Sequence, residues 1–126
     1  MRLPFTEADY VRALRRVWPY LTERQKNTLR GIRDYHSELD RVVFRMEGLA
    51  SHCGEPQAAF LSIVGAIGSL MAEHMGASKE FNRPGAPNMS APVWYGILFE
   101  RTGDSRSLKN LRLPFAKSLK IIDDLP

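Results

Sequence analysis

His36, His52, His74 and Cys53 are the side chains in this chain best suited to ligate a metal or attack a substrate. Chelation from one helix needs ligands on one face, as in His-x-x-x-His, and a metal-binding turn needs a spacing such as Cys-x-x-Cys. Neither spacing occurs. His52 and Cys53 are adjacent, as are Glu73 and His74, so each pair divides between two faces of a helix. No glutamate has histidine three residues on, which the carboxylate-bridged metal sites of helical bundles require. Nucleophilic catalysis needs a thiol or hydroxyl beside an oriented base, and adjacency along a helix does not place His52 against the Cys53 thiol. Gly65-Ala66-Ile67-Gly68 falls inside a helical pattern and lacks the spacing of a phosphate-binding loop. The expectation is a non-enzymatic protein with no catalytic residue, metal or cofactor.

The bases are more informative than the nucleophiles. The net charge is +4 over 126 residues, but it is concentrated in two segments. Arg12, Arg15, Arg16, Arg24, Lys26, Arg30 and Arg33 stand against Glu23 alone. Arg101, Arg106, Lys109, Arg112, Lys117 and Lys120 stand against Asp104 alone. An acidic stretch separates them. Two basic segments are the electrostatic footprint of a polyanion binder, although solvated helix faces have the same composition.

Within the second segment, Leu98 to Arg112 resembles a helix-turn-helix: an apolar helix, Gly103 at the turn, then a short basic helix. In such a unit the early residues of the second helix meet base edges in the major groove. Ser105, Arg106, Lys109 and Asn110 have suitable chemistry, since Arg and Lys pair with guanine and Asn with adenine. The segment departs from the motif at Phe99, where a small residue is usual, and at Asp104 and Lys109, where apolar residues are usual. The 12–33 segment would contact phosphates, which position a protein without reading sequence.

The elements that must position these residues follow from caps and periodicity. Thr6-Glu7-Ala8-Asp9 and Thr22-Glu23-Arg24-Gln25 have the capping-box form, and Pro19 separates the helices they open. The second helix carries Leu29, Ile32, His36, Leu39, Val43, Met46, Ala50 and Cys53 at alternating spacings of three and four. His36 in that seam is a satisfied core histidine or a register-setting polar residue. If continuous from 23 to 53, the helix is about 45 Å long, against a radius of gyration of about 14 Å for a domain of this size. Either it breaks, at Gly31 or Gly48, or it overhangs and finds a partner, so a homodimer is an expectation. A helix over 57–75 is apolar nearly all round and reads as buried. Residues 77–90, with Pro84, Gly85 and Pro87, form an irregular loop. Helices over 91–102, after Asp104 and from Pro114 follow, and no segment shows the alternation of a strand.

The expected architecture is all-α, a single compact domain over 1–126 with five or six helices around the buried central helix 57–75. A lone cysteine fits a reducing compartment. The N-terminus lacks the apolar core of a signal peptide, and the longest charge-free apolar run is shorter than the roughly 20 residues of a membrane span. The expected location is cytoplasmic, away from membranes. The expected function is regulatory nucleic-acid binding, with double-stranded DNA favoured and transcription regulation the natural setting. The alternative is an adaptor or inhibitor that docks on a larger protein through the long helix or the 77–90 loop.

Overall fold

A computed structural model describes residues 5–39, 43–76, 97–102 and 105–126. Helices build the fold. In chain order they are α1 (Glu7–Val17), α2 (Glu23–Leu39), α3 (Met46–His52), α4 (Gln57–Met75) and α5 (Leu113–Ser118). Short 3-10 segments follow α1 at Trp18–Tyr20 and α5 at Leu119–Asp124.

Local chemistry explains the helix starts. The Thr6 hydroxyl accepts from the Asp9 amide while the Asp9 carboxylate accepts from the Thr6 amide, closing a capping box at α1. The bond from the Thr6 amide holds the Asp9 carboxyl below its usual range. Phe5 meets Tyr10 edge to face across this cap, at 6.4 Å between ring centroids. Thr22 and Gln25 form the equivalent reciprocal pair ahead of α2. Pro19 turns the chain between the two helices, within the 3-10 segment.

One apolar cluster draws on all five α-helices. Phe60, Val64, Ile67 and Met71 of α4 are fully buried among Tyr10, Leu14, Leu29, Ile32, Leu49 and Phe115. Burying each such side chain stabilises the fold by about 1.5–3 kcal/mol relative to exposure, so α4 is central, as its composition predicts. It is also the one helix among the described residues with the length and hydropathy of a membrane span, and its packing against α1, α2 and α3 accounts for that composition. The Tyr10 hydroxyl donates to the Ile97 carbonyl at 2.6 Å inside the core. The C-terminal segment is tied down by Arg33 to Asp123, by Lys120 to Glu7 at 3.2 Å, and by the Trp18 indole N–H to the Pro126 carbonyl at 2.6 Å.

Three expectations are corrected. The helix expected over 23–53 is not continuous: α2 ends at Leu39, a strand β1 (Val43–Arg45) follows, and α3 starts at Met46. Neither Gly31 nor Gly48 breaks it, since each lies inside a helix. The 45 Å overhang that suggested a homodimer is therefore absent. Second, α4 is not buried all round, because Gln57, Ala58, Ser62 and Ala66 are exposed.

Third, strands occur. Strand β2 (Phe99–Thr102) and strand β3 (Ser105–Leu111) stand where helices were expected, and with β1 they form a small antiparallel sheet of order β1-β3-β2. Val43 is opposite Asn110 on one side of β3, and Phe99 is opposite Leu111 on the other. Burial of Ile97, Leu98, Phe99 and Leu111 anchors the base of this hairpin to the helical core. That tertiary burial outweighs the weak intrinsic preference of the segment. The loop expected at 77–90 and most of the helix expected over 91–102 lie outside the described residues.

Candidate functional site

Arg101 lies on β2, Ser105, Arg106, Lys109 and Asn110 lie on β3, and Arg112 is the N-cap of α5. The helix-turn-helix expected over 98–112 is thus contradicted, because the segment pairs as a β-hairpin. The register brings Arg101 opposite Lys109, and like charges directly opposite one another are unfavourable in a sheet.

The first basic segment is largely occupied by internal contacts. Arg12 pairs with Asp9 at 3.5 Å, Arg24 with Glu55, and Arg30 with Glu23 at 3.7 Å. Arg33 bridges Asp34 and Asp123, and these two carboxylates hold its guanidinium above the usual range despite its desolvation. Lys26 and Arg30 both sit over the Trp18 ring, at 5.2 and 5.5 Å from its centroid. Arg15 and Arg16, on the outer face of α1, are exposed and carry no ion pair to a described residue. The segment is therefore not one phosphate-facing row; most of its cations fasten helices together.

Two consecutive helices joined by a tight turn lie at 46–75. Helix α3 ends at Cys53, and Gly54 takes φ +73°, the left-handed conformation that a side chain disfavours. The Gly54 amide donates to the Ser51 carbonyl at 3.0 Å and the Glu55 amide to the Ala50 carbonyl at 2.9 Å. This pair of bonds is a Schellman closure, which satisfies carbonyls at the end of α3. Pro56 then caps α4, and its carbonyl accepts from the Phe60 amide at 2.9 Å.

Two contacts lock the turn to α2. Arg24 grips both Glu55 oxygens, at 2.8 and 2.5 Å, which lowers the Glu55 carboxyl from its usual range. The Cys53 thiol points at the Thr28 carbonyl, 3.7 Å away, and packs on Gly31, where a Cβ would come within 2.7 Å of the sulfur. Burial, followed by the charges of Glu55 and Asp34, pushes this thiol up to about 12. The nucleophile is the thiolate, so Cys53 is held protonated at neutral pH. The neighbouring His52 is exposed and turns to Tyr35, at 5.3 Å between ring centroids.

Among the described residues, the order of elements from α2 onward is helix, strand, helix, turn, helix, two paired strands and α5. No family model, curated protein or solved structure matches the chain. What the site can do is judged from its own chemistry. Helix α4 has one face in the core and the opposite face, Ala58, Ser62 and Ala66, in solvent, with Gln57 exposed at its first position. From Gln57 to Ala72 it carries no charge of either sign. Among the described residues no group of three histidine, cysteine or carboxylate side chains is placed to hold a metal. A small cleft of about 240 Å³ between α1 and the end of α4, lined by Asp9, Arg12 and His74, is open and shallow.

The turn follows from Gly54 as the stop of one helix and Pro56 at the start of the next, as the sequence predicts. The outer face of α4, with alanine and serine at 58, 62 and 66, was missed because that helix was assigned wholly to the core.

Proposed function

We propose that this chain binds double-stranded DNA through the helix-turn-helix of α3 and α4, with the β2–β3 hairpin beside it as a wing. The observation that carries this reading is the Schellman-closed turn leading into a helix whose outer face is small and uncharged over its first three turns, at Ala58, Ser62 and Ala66. In such a unit the second helix enters the major groove with its N-terminal residues at base edges. A narrow outer face of Ala58, Ser62 and Ala66 allows close approach of the helix to the groove floor. The hairpin adds Arg101, Arg106 and Lys109, and phosphates would offset the repulsion implied by the Arg101–Lys109 register. The helix assignment of these residues is gone, but their role as cations beside the duplex is retained. Arg24, Lys26, Arg30 and Arg33 act mainly in holding α2 to its neighbours.

A regulatory role in transcription follows from the DNA reading, and a lone cysteine accords with a cytoplasmic setting. The experiment is a fluorescence-anisotropy titration of a mixed-sequence duplex at about 50 and about 200 mM salt. Binding should weaken steeply with salt, because neutralised phosphates release counterions. Ala58→Glu, an exposed change that places a carboxylate at the groove, should weaken binding about 10-fold or more, whereas Lys117→Ala on α5 should change it far less. Absence of binding below about 100 μM at the lower salt would be weaker than ordinary non-specific association. The protein-docking alternative would then take its place.

A further inference from the structure

We propose that the outer face of α1 docks an acidic segment of a partner protein. This surface is separate from the outer face of α4 and does not depend on the DNA reading. Arg12, Arg15 and Arg16 stand at positions i, i+3 and i+4, which are neighbours on one side of a helix. All three are exposed, on the side of α1 away from the buried Tyr10 and Val17. Among the described residues their one ionic partner is Asp9, which is divided between the Thr6 cap and a 3.5 Å contact with Arg12. Like charges at these spacings oppose one another, so in the free protein the row carries a repulsion that Asp9 offsets at Arg12 alone. Carboxylates from a partner would relieve it.

A second observation, independent of charge, marks the same place. Tyr20 is 76% exposed, one of two large apolar side chains in solvent among the described residues. It follows Arg16 by four residues, at the end of the 3-10 turn that continues α1, and its hydroxyl makes no hydrogen bond to a described residue. Tyrosine and arginine are the residue types that anchor protein interfaces. The surface is also fixed in advance: the capping box sets the start of α1, Pro19 sets the turn, and Trp18 is buried beside Tyr20. Docking there orders little beyond the side chains themselves.

The same features choose among anionic partners. A helix that lies on a bilayer buries its apolar face in lipid, and the apolar face of α1 is already in the core. Phosphates of a duplex would take contacts from the arginines and leave the exposed ring without a partner. A protein segment satisfies both, because carboxylates accept two-pronged bonds from guanidinium groups and an apolar side chain beside them covers Tyr20.

The probe is a labelled helical peptide with glutamates at i, i+3 and i+4 and a leucine one turn beyond, titrated with the intact protein by anisotropy. The same peptide with glutamine for glutamate should bind at least about 5-fold more weakly, having lost the charge-assisted contacts. Arg15→Gln combined with Arg16→Gln, and separately Tyr20→Ala, should each weaken the acidic peptide several-fold, whereas Arg45→Gln on β1 should not. The substituted side chains are exposed, and unchanged thermal melts check that the variants fold. No binding of the acidic peptide below about 1 mM, or binding indifferent to both α1 variants, overturns the proposal. Binding of a duplex or of phosphatidylserine vesicles that falls as steeply in the arginine variant would give the face to phosphate groups and overturn it too. Failure of the protein to bind any DNA would leave it standing.

Discussion

Gly31 shows how a single missing side chain positions the site. A Cβ there would lie 2.7 Å from the Cys53 sulfur and 3.3 Å from the Cys53 Cα, so α2 and the turn touch at a position that tolerates only hydrogen. Gly31→Ala gains up to about 1 kcal/mol of helix propensity but must displace the turn. Overpacking of a close contact costs about 1–3 kcal/mol, so the expected net effect is destabilisation, read as a lower urea midpoint. Cys53→Ala in the same background removes the sulfur and should recover part of the loss. A Gly31→Ala protein more stable than its parent would show that the contact is loose. At this scale the sequence was readable where chemistry is local. Thr6 with Asp9 and Thr22 with Gln25 cap as their spacing predicts, and His52 and Cys53 turn to different partners. The Gly31–Cys53 contact was not readable, since it joins residues 22 apart through no pattern of period or motif.

At the scale of elements, the turn between α3 and α4 makes two glycines behave oppositely. Gly48 lies within α3 at an exposed position, and a Cβ there meets nothing within 4 Å. Gly48→Ala should therefore stabilise the protein by about 0.5–1 kcal/mol. Gly54 holds the left-handed conformation at φ +73°, and Gly54→Ala should cost about 1–2 kcal/mol. Thermal melts of the two variants should move to opposite sides of the parent, and a shift in the same direction would contradict the turn geometry. Helices α1 and α4 and the start of α2 were legible because caps and glycine stops are local signals. The strands were not. Val43 and Met46 fit a helical seam extrapolated from Leu29, although the chain leaves the helix after Leu39. Ser105 to Leu111 lacks β-branched residues, and its strand conformation comes from pairing with β1 and β2.

For the whole molecule, the decisive feature is that α4 serves two surfaces. Phe60, Val64, Ile67 and Met71 build the core, while Ala58, Ser62 and Ala66 stand opposite them in solvent. Alanine and glycine count as apolar in any hydropathy pattern yet are tolerated on either side of a helix. The outer face was therefore indistinguishable from the inner one until packing separated them. Charge was misleading in a related way. Seven bases between Arg12 and Arg33 look like one patch in the sequence, but folding spends Arg24 and Arg33 on joining α2 to the turn and to the C-terminal segment. On the proposed reading, DNA would meet α4 and the hairpin and not the α1–α5 side. The most direct measurement is a titration of the 15N-labelled protein with a short duplex, followed by amide chemical shifts. Shifts should concentrate at Gln57, Ala58, Ser62 and Ala66 and along residues 99–111, with Glu7–Val17 and Leu113–Ser118 little changed. Shifts confined to α1 and α5, with the α4 face unmoved, would contradict it.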